Sequence, residues 1–166
     1  MASELANPRA LAEAYKEELA RLLGPHLVSV VFFGSAARGG FSPGSDIDLL
    51  VVAEGLPASR RDRHRLLFEV EERLEPVLAQ LSRGGQRTEF SVLLRSTEEA
   101  EKLSPLYLDM VEDSVLLFDR DGFFGKVLLR LKQRLDFYGA QRVRLGKVRY
   151  WRLKPDYKWG EVLSFD

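Results

Sequence analysis

Apolar positions change their period several times along this chain. Leu11, Ala14, Tyr15, Leu19, Leu22 and Leu23 recur at the three-to-four spacing of one helix face. Asn7-Pro8 offers that helix a cap and a first-turn proline, and Gly24-Pro25 ends it. Leu27 to Phe33 is apolar except for Ser29, which predicts a strand buried on both faces, with Asp46 to Ala53 as its partner. Helical spacing returns from Ser59 to Leu81 at Leu66, Leu67, Val70, Leu74, Val77, Leu78 and Leu81, with Pro76 expected to bend or split the helix. Arg83-Gly84-Gly85 predicts a turn into a strand-like run from Phe90 to Leu94. Ser96-Thr97-Glu98-Glu99 fits a capping box, and Pro105 can open a further helix through Met110. Val115 to Phe118 predicts a short strand closed by the turn residues Asp119 to Gly122, and a helix follows from Phe123 to Tyr138. The last 27 residues leave two readings, a hairpin of Gln141 to Leu145 with Lys147 to Leu153 about Gly146, or an ordered tail wrapped on the sheet.

Composition narrows the class. At 166 residues and 45% hydrophobic content the chain can bury a core as one domain or a domain with an appendage. It has no cysteine, so disulfides and thiolate metal sites are excluded, and its two isolated histidines cannot make a zinc site alone. No apolar run approaches the roughly 18 residues of a membrane span and no signal-peptide pattern opens the chain, so no membrane role and a soluble, cytoplasmic protein are expected.

The net charge of zero hides an asymmetry. Residues 1–125 hold 14 Lys+Arg against 21 Asp+Glu, and residues 126–166 hold 11 against 4. The basic C-terminal part, with Arg149-Tyr150-Trp151-Arg152, Lys154, Tyr157, Lys158 and Trp159, could bind nucleic acid through phosphates and stacking, or pack on an acidic surface. The start of the long helix, Arg60 to Arg65, is also cationic. It could meet substrate phosphates if the strand at 46–53 ends close by, or could be a solvated face.

The chemistry concentrates between the first two strands. Gly34-Ser35 follows the first strand, and after ten intervening residues Asp46-Ile47-Asp48 opens the second. Strand alternation puts Asp46 and Asp48 on one face, where two carboxylates repel unless a cation lies between them. Magnesium suits such oxygen ligands, and a pair of ions can stabilise both ends of a phosphoryl displacement. A glycine after the strand allows close backbone approach to a ligand. Ser35 could cap a helix beginning there and touch a phosphate, and Arg38 could bind a phosphate or stand solvated.

Gly34-Ser35, the spacer and Asp46-x-Asp48 resemble the signature of minimal nucleotidyltransferases in the DNA polymerase β superfamily. Glu89, heading a strand-like run, is the best match for that family's third acidic residue. The resemblance implies an α/β fold of the polymerase β nucleotidyltransferase type, with a mixed central sheet, helices mainly on one face and a C-terminal extension. It implies a nucleotidyltransferase domain over residues 1–118, with residues 119–166 as a helical and basic aromatic extension packed on it. The implied reaction moves a nucleoside monophosphate, AMP from ATP or another nucleotide from its triphosphate, to a hydroxyl acceptor. Asp46, Asp48 and Glu89 would be catalytic and would hold two Mg2+ ions; Gly34, Ser35 and Arg38 would bind the nucleotide. Size and spacing resemble the antitoxin partners of HEPN-domain toxins, which implies a protein acceptor, although the sequence after the Glu89 strand is longer than in a typical minimal member. Transfer to RNA ends or a small molecule, and a non-catalytic module binding nucleotide or a partner, are the alternatives.

Overall fold

The computed structural model describes residues 7–40, 42, 44–83, 85, 88–146 and 148–164. The first helix, α1 (Pro8–Leu23), is capped by the Asn7 side chain, which accepts from the Arg9 amide at 2.9 Å, and it ends at Gly24 with φ +53°. Strand β1 (Leu27–Phe33) follows. A single helical turn, α2 (Gly34–Ala37), leads to β2 (Ile47–Ala53) and then to α3 (Arg60–Arg83). Pro76 lies within α3 without ending it. The position is exposed, as is Glu72 one turn earlier, so water can satisfy the carbonyl that proline leaves unpaired.

Next come β3 (Phe90–Arg95), the short helices α4 (Thr97–Glu101) and α5 (Met110–Asp113), β4 (Val115–Asp119) and the helix α6 (Phe123–Phe137). The predicted opening at Pro105 is a 3-10 turn, Pro105–Leu108, ahead of α5. The capping box at Ser96 and Glu99 is present in both directions. The C-terminal ambiguity resolves as a hairpin, β5 (Gln141–Leu145) with β6 (Val148–Arg152), turning at Gly146 with φ +62°. Gly84 of the predicted turn before β3, and Lys147 of the hairpin, lie outside the described residues.

Four strands make a mixed sheet in the order β3-β2-β1-β4. β1 runs antiparallel to both β2 and β4, while β2 and β3 are parallel, joined by the α3 crossover. The near-continuous apolar runs of β1 and β2 reflect burial on both faces. Against one face lie α1 and α3, through Leu11, Tyr15, Leu19, Leu67, Val70 and Leu74. The sequence placed helices mainly on one face; α1 and α3 lie on this one, and α4, α5 and α6 lie on the other. The opposite face has its own core, where Phe124, Val127, Leu131 and Leu135 of α6 meet Val28, Val31, Leu50 and Val52. Among the described residues no helix is long and apolar enough to cross a membrane.

Asp119 does more than occupy a turn. Its carboxylate accepts from the buried Ser29 hydroxyl at 2.6 Å and from the amides of Phe124 and Gly125 at 2.9 and 3.0 Å. One side chain thereby ties β1, β4 and the first turn of α6 together.

Candidate active site

Register brings the site together. Phe33, the last residue of β1, stands opposite Asp48, and Asp48 stands beside Ser91 of β3. The next residue, Gly34, has φ +79°, and a Cβ built there would lie 2.1 Å from Asp48 Oδ2. The Asp48 carboxylate therefore rests against the Gly34 backbone, where only a glycine leaves room.

Burial, then the neighbouring Asp46 carboxylate, raises the Asp48 pKa; a hydrogen bond from Ser91 and the charge of Arg38 act the other way. Asp46 itself is exposed at the head of β2. A half-buried carboxylate next to a second one, held at a surface with no room for a Cβ, is a locus short of positive charge. These two aspartates fit a divalent cation with oxygen ligands.

Glu89 stands one residue before β3. Its carbonyl accepts from the Ile47 amide at 2.8 Å, and the register extended by one residue sets it beside Asp46. It is exposed and borders a groove with Phe68, Glu71, Glu72, Glu75, Leu78 and Phe90. Glu89 is not among the groups that set the ionisation of Asp48, and no cluster of three or more His, Cys, Asp or Glu able to hold a metal occurs among the described residues. Ser91 is the neighbour that sequence reasoning missed. Its only signal was its position two residues after Glu89, on the same strand face.

The turn after Gly34 is tighter than a helix start. The helix α2 has four residues, its capping position is Phe33 and no side chain caps it, so the expectation of Ser35 as a cap is corrected. The loop instead closes on itself, with the Gly40 amide donating to the Ser35 carbonyl at 2.9 Å. Ser35, Arg38 and Gly40 line a crevice with Asp109, Arg142 and Arg149. Phe41 and Pro43 of the spacer lie outside the described residues.

The cationic start of α3 is not at this site. β2 carries the chain away from Asp46 for seven residues, roughly 20 Å, before α3 begins. There Arg63 is bound by both oxygens of Glu99, at 3.0 and 2.8 Å, and by the Pro57 carbonyl at 2.7 Å.

Comparison with known proteins identifies the family. The family described as "Nucleotidyltransferase domain" matches residues 12–114, which contain β1, Gly34, both aspartates and Glu89. A Methanocaldococcus jannaschii protein bearing the name "Putative protein adenylyltransferase MJ1305" is 30% identical over 122 residues, covering 74% of this chain and 79% of that protein. Among solved structures, a toxin-antitoxin with AMP-PNP is similar at 19% identity and a TM-score of 0.48, covering 76% of this chain and 92% of that one. A tri-AMPylated Shewanella oneidensis HEPN toxin in complex with MNT antitoxin is similar at 17% identity and a TM-score of 0.41, covering 78% and 92%.

Proposed function

Because the chain belongs to the nucleotidyltransferase domain family, we propose that it transfers AMP from ATP to a hydroxyl group of a protein acceptor and releases pyrophosphate. The observation that carries this reading is the Asp48 carboxylate seated against Gly34 with Asp46 beside it, inside the matched segment. The choice of AMP and of a protein acceptor follows the name of the 30% identical relative.

In the proposed reaction the acceptor oxygen bonds to the α-phosphorus as the bond to the bridging oxygen breaks. The leaving pyrophosphate takes the electron pair, and the hydroxyl proton passes to a base. Asp46 and Asp48 would hold Mg2+, with Glu89 as the further carboxylate and as the group accepting the acceptor's proton. Bound there, the cation supplies charge to the α-phosphate and to the leaving group. Ser35 and the Gly34 backbone would hold the triphosphate, and Arg38 would offset its charge. Positive charge at the aspartate pair would also favour the ionised form of Asp48, which burial and Asp46 otherwise disfavour.

The test is transfer of label from α-labelled ATP into a lysate with magnesium, comparing wild type with Asp46→Asn/Asp48→Asn and digesting the products. A protease-sensitive band that the double variant fails to make is the expected result. The HEPN-type partner implied by the sequence resemblance would be one such band. Nuclease-sensitive label would move the acceptor to RNA, and equal labelling by both proteins would make the chain a binding scaffold.

A further inference from the structure

The family match ends at residue 114, yet the crevice beside Gly34-Ser35 has a wall from beyond it. Arg142 of β5 and Arg149 of β6 face Ser35, Arg38 and Gly40 across a space of about 440 Å³. We propose that this C-terminal hairpin completes the phosphate end of the nucleotide site, with Arg149 binding the polyphosphate tail of the nucleoside triphosphate. The inference rests on the reading that the Gly34-Ser35 turn holds that nucleotide.

The two arginines are in different states. Arg142 is anchored: it pairs with Glu112 at 2.9 Å and with Asp113, which also lies 4.0 Å from Arg38. These contacts fix the hairpin to α5 and link it through Asp113 to the loop after Gly34. Arg149, by contrast, is exposed; its charge reaches Asp113, but it makes no hydrogen bond or ion pair within 4 Å among the described residues. Its cross-strand neighbour in β5 is Arg144, whose Nε donates to the Gly146 carbonyl at 3.1 Å. Like charges directly opposite in an antiparallel pair destabilise a hairpin unless an anion offsets them. Arg38, Arg142 and Arg149 line the crevice with one carboxylate, Asp109; Glu112 and Asp113 behind it are engaged by Arg142.

An anion is therefore the ligand chemistry, and the guanidinium fork suits phosphate oxygens. Its source could be the nucleotide's tail or a phosphate on the acceptor. Location favours the tail. The opposite wall is the Ser35–Gly40 loop, whose first residue directly follows the Gly34 that backs the Asp48 carboxylate, and Arg38 of that loop lies 4.0 Å from Asp113.

Calorimetric titration of the full chain with inorganic tripolyphosphate, with AMP and with a single-stranded RNA oligonucleotide separates these sources. Tripolyphosphate should bind Arg149→Ala about tenfold more weakly than wild type and bind Arg149→Lys at an intermediate level. AMP should bind all three alike, and their melting temperatures should agree. Equal tripolyphosphate binding by wild type and Arg149→Ala, no binding by wild type, or a loss confined to RNA would overturn the assignment. The labelling assay reports separately on the transfer reading. Arg149-dependent tripolyphosphate binding with label unaffected by Asp46→Asn/Asp48→Asn would sink transfer and leave the anion site standing. The reverse pattern would sink the anion site alone.

Discussion

Asp48 carries a stability cost in the cation-free protein, and the cost has a sign that can be checked. Burial and Asp46 raise its pKa, so the group's favourable contribution is fully present below the unfolded value of about 3.9 and is lost as pH rises through the folded value. Asp48→Asn should therefore melt no lower than wild type at pH 7 in chelator, and the gap should close as pH falls towards about 4. Magnesium should raise the wild-type melting temperature and leave the variant unmoved. Gly34→Ala is the complementary change, since it forces a Cβ into the Asp48 carboxylate at a positive φ. Urea denaturation should show a loss of about 1–3 kcal/mol, with transfer lost as well. Gly34, Asp46 and Asp48 were legible in the sequence because their relation is local, a turn and two positions on one strand. Ser91 was not, because it meets Asp48 only through a parallel register set across the whole of α3, which no short spacing encodes.

Most of the elements could be read from period and punctuation, and the exceptions share a cause. The cap of α1 and the capping box of α4 are local chemistry and stand where the sequence predicts them, while the hairpin about Gly146 is one of the two readings it left open. The extent of α2 and the continuity of α3 through Pro76 depend on surroundings: a loop that closes on Ser35, and exposed positions at Glu72 and Pro76 that water can reach. The role of Asp119 is also non-local, since Ser29 lies 90 residues away in sequence. Asp119→Ala strands the buried Ser29 hydroxyl and two amides at the start of α6, and should cost about 2 kcal/mol in chemical denaturation. Asp119→Asn, which keeps an acceptor oxygen, should cost less.

The molecule as a whole is a sheet with a core on each face, and the second core depends on residues beyond the family match. A chain ending before α6 would uncover Val28, Val31, Leu50 and Val52 and lose Phe124, Val127, Leu131 and Leu135 as their cover. Burial of each such side chain contributes roughly 1.5–3 kcal/mol. A chain cut after Gly122 is expected to lose cooperative melting and bind a hydrophobic dye, whereas retained cooperative melting would show that the first core suffices. Topology also sets an order of events during synthesis. β1 and β2 pair across a short connection, but β3 reaches β2 only after all of α3 has been made. A growing chain thus displays Asp46 and Asp48 on an open ribbon, both hydrated, with no Ser91 beside them and little burial to sharpen their field. On the proposed reading, selective capture of magnesium would be a property of the closed sheet, and a nascent chain would not turn over nucleotide before it has folded.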